Sequence, residues 1–175
     1  MFKEVRSLIL LSAEKITKSY SEKTLLKDIS LYLSDGDKVG VIGINGTGKS
    51  TFLKIIAELE SPDNGTITKA SKVRIGYLPQ NPIFGKNITV LEQVFKGASS
   101  AIIELKEYEA KSILTKLGIT EFDTDVNLLS GGERKRVAIA STLINPSEIL
   151  ILDEPTNHLD NDMVLWLENY LQRYT

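Results

Sequence analysis

The chain has 175 residues, which is enough for one compact domain or a tight pair of lobes but too few for a multidomain assembly. Its 42% hydrophobic and 25% charged residues are typical of a globular protein and exclude disordered, collagen-like and coiled-coil chains. The formal net charge is -2, so composition provides no bulk attraction to nucleic acid or anionic lipid. There is no cysteine and only one histidine, which excludes disulfides, thiolate metal sites and multi-histidine centres. We expect a cytoplasmic protein.

The amino-terminal segment Met1–Ala13 contains a short apolar run, Leu8–Leu11. A membrane-spanning helix needs about 18 or more apolar residues, so this run predicts no membrane span. The acidic Glu4 stands where a secretory signal would be basic. We interpret the segment as an early strand or a leader.

Two extended stretches follow, Ile9–Thr17 and Leu25–Leu33, separated by the polar Ser21-Glu22-Lys23. They predict an antiparallel hairpin region that ends at the turn pair Asp35-Gly36. The next run, Lys38–Ile42, predicts a buried strand that leads into a glycine-rich loop.

Helical spacing begins after that loop, at Lys49–Leu59, with Phe52, Leu53, Ile56 and Ala57 as its apolar positions. A turn at Pro62–Gly65 and short strands at Thr66–Lys69 and Val73–Leu78 come next.

Residues 81–142 are predicted to form a helical lobe without strands. Its candidates for buried faces are Ile103, Leu105, Tyr108, Ile113, Leu114 and Leu117. The apolar run Ile149–Leu152 predicts a strand covered on both faces of a parallel sheet. The segment Asn161–Arg173 predicts an amphipathic helix with Met163, Leu165, Trp166 and Leu171 in its core.

The loop Gly43–Ser50 reads Gly-Ile-Asn-Gly-Thr-Gly-Lys-Ser and matches the phosphate-loop spacing G-x-x-x-x-G-K-[ST]. Its glycines allow backbone N–H groups to surround a β-phosphate, and the positive end of the following helix points at the anion. Lys49 would contact the β- and γ-phosphates, and the Ser50 hydroxyl would bind Mg²⁺. The alternative is a glycine-rich turn with a chance lysine.

Asp153 and Glu154 follow Ile149–Leu152 directly, at the strand end where ligands of open α/β folds collect. Asp153 is placed to hold the Mg²⁺ hydration shell, and Glu154 to orient or deprotonate a water that attacks the γ-phosphate. The alternative is a solvated strand end.

Leu129–Glu133 precedes a helix that carries Val137, Ala138, Ile139, Leu143 and Ile144. Ser130 and Glu133 have the spacing of a capping box. A cap alone does not explain Gly131 and Gly132, which weaken a helix but let a ligand approach its backbone. The second interpretation is therefore an anion-binding helix end.

In this order, Gly43–Ser50, Gln80, Leu129–Glu133, Ile149–Glu154 and Asn157–Asp160 resemble the motifs of ATP-binding cassette (ABC) ATPases, over nearly all of residues 10–173. The resemblance implies an α/β fold: a P-loop NTPase core with a mixed or parallel sheet, an antiparallel β subdomain at the N-terminus and an inserted helical lobe. It divides the chain into the antiparallel region with the first half of the core at 1–80, the helical lobe at 81–142 and an incomplete second half at 143–175.

The same resemblance implies that the cassette binds ATP with Mg²⁺ and hydrolyses it in a head-to-tail dimer, in which Ser130 and Gly132 contact the partner's nucleotide. Tyr20 would stack on adenine, Gln80 would sense Mg²⁺ and water, and Asp160 would couple the two sites. Tyr20 and Gln80 also have plainer readings, as a strand-end aromatic and a polar loop residue. The implied catalytic residues are Glu154, Lys49 and Gln80, and the metal ligands are Ser50, Gln80 and Asp153. The nucleotide-binding set is Tyr20, Gly43, Asn45, Gly46, Thr47, Gly48, Lys49, Ser50, Thr51, Ser130, Gly131, Gly132 and Asp160.

Ile75–Gln80 and Glu154–Asp160 look most like the ABC-F branch, whose paired cassettes act on ribosomes. A long linker and a second cassette are expected in that branch and are not in this sequence. The ATP-binding subunit of a membrane transporter, which contacts a permease, is the alternative.

In the family, a strand after the last helix leads to a histidine that contacts the γ-phosphate. In this sequence that histidine would lie beyond Thr175. We interpret His158 as a loop residue and not as that histidine. A third reading is therefore a module that binds ATP with little or no turnover.

Overall fold

A computed structural model of the protein describes residues 8–174. The segment Met1–Ala13 is interpreted as a strand or a leader, and its first seven residues lie outside the described part of the chain. The chain divides into two units. One holds the described residues up to Ile75 together with Ser147–Ile151, and the other holds Gly76–Pro146 and Leu152–Tyr174. The division into 1–80, 81–142 and 143–175 stays a prediction.

The first unit contains a three-stranded antiparallel sheet of β1 (Ile9–Tyr20), β2 (Lys23–Ser34) and β3 (Asn64–Lys69), in the order β2-β1-β3. The pairing of Tyr20 with Lys23 closes the hairpin, which confirms the predicted antiparallel region. Leu11, Ala13 and Ile16 of β1 are buried. Side chains along a strand alternate between the two faces of the sheet, and a register shift between Ala13 and Ile16 interrupts this alternation. Both residues therefore face the core.

Helix α1 (Lys49–Ile56) follows the glycine loop as predicted and buries Phe52, Ile55 and Ile56. The buried strand predicted at Lys38–Ile42 is wrong: these residues are exposed and belong to no strand, and Ile42 is 97% exposed. Alternating apolar residues favour an extended chain, but a strand forms only where a neighbouring strand supplies hydrogen bonds. Among the described residues, none pairs with this segment in a ladder.

A two-stranded sheet is formed by β4 (Ile75–Leu78) and β5 (Ile149–Leu152). The Ile149 N–H donates to Arg74 O at 3.2 Å and the Asp153 N–H donates to Leu78 O at 3.0 Å. Both partners advance in the same direction along the chain, so the strands are parallel. Ile149 and Ile151 are buried, whereas Leu150 and Leu152 are half-buried. The predicted strand is confirmed, with one of its faces covered more fully than the other.

The second unit is mainly helical: α2 (Val90–Val94), α3 (Ser100–Lys116), a 3-10 turn (Val126–Leu128), α4 (Gly131–Ile144) and α5 (Asn161–Gln172). Within 81–142, all of which is described, no strand forms beyond one isolated bridge between Thr89 and Asp125, in agreement with the prediction. All five apolar positions predicted for α4 are buried, namely Val137, Ala138, Ile139, Leu143 and Ile144.

Burial in α3 agrees with the prediction at Ile113, Leu114 and Leu117, but Leu105 and Tyr108 are exposed. At about 100° per residue, Tyr108 falls on the face opposite Ile113 and Leu114, and Leu105 lies opposite Leu114 and to one side of Ile113. In α5 the predicted core position Leu165 is exposed, and Leu167 is buried in its place. Met163, Trp166 and Leu171 are half-buried. In both helices the apolar residues outnumber the positions that one face can bury.

Candidate functional site

Two residues of the glycine loop in the first unit have a left-handed backbone conformation just before α1 begins. Gly46 has a φ of 80° and Gly48, the N-cap of α1, has a φ of 93°. A Cβ at position 48 would lie 3.1 Å from the Leu26 side chain and 3.2 Å from the Leu25 Cβ. Position 48 therefore favours glycine for two separate reasons, backbone conformation and close packing on β2.

Lys49 and Thr47 fold back onto the same loop. The Lys49 Nζ donates to the carbonyl oxygens of Gly43 at 2.7 Å and Ile44 at 3.0 Å. The Thr47 hydroxyl also donates to Ile44 O, at 2.8 Å. The ammonium group and the positive end of α1 thus belong to one short segment whose residues 43–47 are exposed. This arrangement can bind an anion such as a phosphate.

Tyr20 ends β1 and is 47% exposed. Its hydroxyl hydrogen-bonds the Glu60 carboxylate, and the Lys18 ammonium lies 5.7 Å from the ring centroid. The hydrogen bond to Glu60 is the main cause that raises the pKa of Tyr20, while a side-chain hydrogen bond with Thr51 opposes the shift. The structure therefore brings Tyr20 next to the first turn of α1, and fixes the ring by its hydroxyl.

In the second unit, Asp153 follows β5 and is 3% exposed. The Tyr77 hydroxyl lies 3.5 Å from Asp153 Oδ2. Burial, followed by the negative charge of Asp153, raises the pKa of Tyr77 to about 12, so this phenol stays protonated at neutral pH. A buried carboxylate with a neutral phenol beside it can hold a cation or its water shell.

Glu154 has a φ of 49°, an uncommon conformation for a residue with a side chain. Its Oε2 accepts a hydrogen bond from Gln80 Nε2 at 2.7 Å and a second from Asn157 Nδ2 at 2.7 Å. The structure thus brings Gln80 and Glu154 together, and the roles predicted for them stay predictions. Left-handed backbone at a residue with a side chain is a form of strain often found at functional sites.

Ser130 and Glu133 form the predicted capping box at the start of α4. The Glu133 N–H donates to Ser130 Oγ at 3.3 Å, and the Ser130 N–H donates to Glu133 Oε2 at 2.9 Å. The Ser130 hydroxyl donates to the same carboxylate at 2.7 Å and is the main cause that lowers the pKa of Glu133. Ser130 and Gly131 are exposed, so the helix start can still meet a ligand. Its role in binding stays a prediction.

Asp160 is the N-cap of α5, where its Oδ1 accepts the Met163 N–H at 2.8 Å. His158 is exposed, in the loop after Glu154, and has a φ of 70°.

Sequence reasoning assigned no role to three residues near the predicted ones. Glu60 hydrogen-bonds Tyr20, Asn157 hydrogen-bonds Glu154, and the third is Lys135, which is 2% exposed. Lys135 carried a usable signal, because it stands three and four residues before the apolar Ala138 and Ile139 on one face of α4. Glu60 gave no such signal, since Tyr20 is 40 residues away in the sequence. Asn157 is only three residues from Glu154 and belongs to the motif Asn157–Asp160, but the motif alone did not indicate this contact.

A family profile described as ABC transporter matches residues 26–157. The chain is 42% identical to the uncharacterized ABC transporter ATP-binding protein YfmR of Bacillus subtilis, over 94% of this chain and 32% of that protein. It is 33% identical to the energy-dependent translational throttle protein EttA of Mycobacterium tuberculosis, over 92% of this chain and 35% of that protein. The chain thus spans about a third of the length of these relatives.

Among solved structures, a dimeric ATP-binding cassette in a post-hydrolysis state bound to ADP and phosphate superposes with a TM-score of 0.78. The two chains are 28% identical, and the match covers 94% of this chain and 83% of that one. These similarities and the predicted motifs agree on a P-loop NTPase fold with an ABC ATPase domain. The chain therefore belongs to the ABC transporter family.

Proposed function

We propose that the chain binds ATP with Mg²⁺ on the Gly43–Ser50 loop and, paired head to tail with a second cassette, hydrolyses it to ADP and phosphate. The observation that carries the proposal is the loop: left-handed turns at Gly46 and Gly48 lead into α1, and the Lys49 ammonium lies against the loop carbonyls. A bound phosphate oxygen would replace the loop carbonyls as the hydrogen-bond acceptor of the Lys49 ammonium, because a charged acceptor binds an ammonium more strongly than a neutral carbonyl does.

The donor atoms proposed for Mg²⁺ are the Ser50 hydroxyl, the Asp153 carboxylate and the Gln80 amide oxygen. All are hard oxygen ligands, which suit this ion. The burial of Asp153 beside the neutral Tyr77 hydroxyl also fits a cation, because a buried carboxylate is stabilised by positive charge. Bound Mg²⁺ would neutralise charge on the β- and γ-phosphates.

Glu154 is proposed as the residue that orients or deprotonates the attacking water. Support comes from its place directly after β5 and from the two amides, Gln80 and Asn157, that fix its Oε2. A carboxylate held in one orientation can align a water more precisely than a mobile one.

Ser130, Gly131 and Gly132 are proposed to contact the nucleotide of the partner cassette, with Asp160 coupling the two sites. The exposed start of α4 supports this role, as does the similarity to a cassette that is dimeric with ADP and phosphate bound. Tyr20 is proposed to stack on adenine, since its ring is half exposed and its hydroxyl is anchored.

The cellular role we propose is that of an ABC-F cassette that acts on ribosomes in the cytoplasm. The segments Ile75–Gln80 and Glu154–Asp160 and the similarity to EttA, a translational throttle protein by name, support it. A second candidate is the ATP-binding subunit of a membrane transporter, which is favoured by the name of YfmR, an ABC transporter ATP-binding protein. Within the described residues, no helix has the length and apolar character to cross a membrane.

Turnover is tested by phosphate release from ATP and Mg²⁺ by the wild-type chain, Glu154→Gln and Glu168→Gln. Glu168 is exposed on α5 and provides a matched loss of one negative charge. We expect Glu154→Gln to lower the rate at least about a hundredfold, as for loss of a general base, while Glu168→Gln stays at the wild-type rate. Equal rates for all three proteins would remove Glu154 from catalysis. A wild-type chain that binds ATP and releases no phosphate would support the reading as a binding module.

The partner is tested by mixing the chain with ATP and either purified ribosomes or permease-containing membranes. Co-sedimentation with ribosomes that is lost in Lys49→Ala is the expected result. Retention on the membranes alone would favour the transporter candidate.

A further inference from the structure

Lys135 is a buried charged residue that the proposed reaction does not use. It lies in α4, one turn after the capping box, and is 2% exposed. Burial is the main cause that lowers its pKa, while the charges of Asp153 and Glu154 act in the opposite direction. A lysine is seldom found at such a position unless its ammonium group has strong partners.

Its partners are three main-chain carbonyl oxygens. The Lys135 Nζ donates to Pro79 O at 2.8 Å, to Gln80 O at 3.1 Å and to Asp153 O at 3.1 Å. An ammonium group has three N–H donors, so these bonds use its full capacity. They join two loops, the one after β4 and the one after β5, that are more than 70 residues apart in the sequence.

These two loops carry Gln80 and Glu154, whose side chains meet at 2.7 Å. Lys135 holds the peptide oxygen of Gln80 itself and that of Asp153, the residue immediately before Glu154. A shift of either peptide would move the attached side chain, so the ammonium group controls the distance between the Gln80 amide and the Glu154 carboxylate.

A second contact joins the same helix to the second loop. A Cβ at Gly132 would lie 3.5 Å from the His158 Cβ, so the first turn of α4 packs against the segment that follows Glu154. The start of α4 therefore touches this loop at His158, and Lys135 holds it at Asp153.

We propose that Lys135 is a positioning residue that fastens the helix start Ser130-Gly131-Gly132 to the loops of Gln80 and Glu154, so that a nucleotide bound at the helix start aligns the groups that handle the attacking water. The effect on rate rests on the proposed ATPase function. The contacts by which Lys135 holds the two loops are formed without nucleotide.

The first test is hydrogen exchange in the chain without nucleotide, for wild type, Lys135→Met and Arg134→Met. Methionine keeps the length of the side chain and removes its donors. Arg134→Met is the control, because it removes one positive charge from the neighbouring position of α4, which is not buried. We expect Lys135→Met alone to raise the exchange rate of the Asp153 backbone N–H, which donates to Leu78 O at 3.0 Å, at least about tenfold, with Gly43–Ser50 unchanged. Wild-type exchange at the Asp153 N–H in a folded Lys135→Met chain would overturn the proposal.

The second test separates positioning from general loss of structure by kinetics. In Lys135→Met, kcat for ATP should fall at least about tenfold while KM stays within about threefold, because the groups proposed to bind the phosphates are intact. Lys135→Arg, which restores N–H donors, should recover part of the lost kcat. A Lys135→Met chain with wild-type kcat, or a fall in kcat that Lys135→Arg does not relieve at all, contradicts the role.

If Lys135→Met does not fold, Lys135→Gln with two N–H donors takes its place in both tests. If the wild-type chain shows no turnover, the proposed ATPase function fails, and the exchange rate of the Asp153 N–H alone decides the role of Lys135.

Discussion

Gly48 and Lys49 are neighbours that contribute to the loop in different ways. Lys49 acts through its charge, whereas Gly48 acts through the absence of a side chain, because its φ is 93° and β2 lies against it. The phosphate-loop spacing predicted both residues. It did not predict that Gly48 packs on Leu25 and Leu26, since that contact depends on where β2 lies.

Gly48→Ala should lower the free energy of unfolding by about 1–2 kcal/mol from the left-handed backbone alone, and by more if Leu25 and Leu26 cannot shift. ATP affinity should fall with it, because α1 begins at this residue. Denaturant unfolding and nucleotide titration measure the two effects. Gly40→Ala is the matched control, because a Cβ at Gly40 meets no atom within 4 Å, and its φ is not in the left-handed region. Equal losses in both variants would show that the packing at Gly48 is unimportant.

Two helices of the second unit begin with the same capping box, Thr89–Glu92 at α2 and Ser130–Glu133 at α4. Their shared geometry provides a comparison between a cap and a binding site. Only α4 carries two glycines behind its cap, and only α4 is proposed to contact nucleotide.

Thr89→Ala and Ser130→Ala should each lower the free energy of unfolding by about 1 kcal/mol, since each removes one N-cap acceptor. Only Ser130→Ala should also lower the rate of ATP hydrolysis in the paired state. Parallel denaturation and phosphate-release measurements on the two variants distinguish the roles. If hydrolysis falls equally in both, Ser130 is a cap and nothing more.

The strands β4 and β5 are joined at their start by Arg74 and Glu148. The Arg74 N–H and Nη2 each donate to the Glu148 carboxylate at 2.7 Å. These hydrogen bonds lower the pKa of Glu148 from 4.5 to about 2. The pair therefore stabilises the fold fully above pH 4.5, and this contribution is lost as the pH falls towards 2.

Glu148→Gln should lower Tm at pH 7 by a small amount, because the pair is partly exposed. The difference from wild type should shrink as the pH falls from 4.5 towards 2, because over this range the unfolded carboxylate takes up protons while the native one stays mostly charged. Thermal unfolding across this range, with Glu168→Gln as control, measures it. If the difference in Tm between Glu148→Gln and wild type stays constant with pH, the stabilising effect of Glu148 does not come from its charge.

At the largest scale, each of the two units carries its own group of predicted residues. The phosphate loop and Tyr20 belong to the first, whereas Gln80, Ser130, Asp153 and Glu154 belong to the second. Sequence motifs predicted all of these positions, because spacing and flanking elements are local properties. The fold was predicted as far as local patterns reach: the hairpin, α1, β5 and α4 are confirmed.

What failed depends on non-local partners. Lys38–Ile42 has the pattern of a strand and lacks a neighbouring ladder among the described residues, and Leu105 and Leu165 have apolar side chains on faces that nothing in the described chain covers. The position of Lys135 on the apolar face of α4 indicates its burial, but its three acceptors come from two distant loops and could not be predicted from local patterns.

Binding of the ATP triphosphate on the Gly43–Ser50 loop is tested most directly by calorimetric titration. The wild-type chain, Lys49→Ala and Lys54→Ala are each titrated with ATP and Mg²⁺. Lys54 is an exposed lysine of the same helix and controls for the loss of one positive charge. We expect Lys49→Ala to weaken ATP binding at least about tenfold, as for loss of a charge-assisted contact, while Lys54→Ala binds as wild type does. Unchanged affinity in Lys49→Ala would contradict the placement of the triphosphate on the loop.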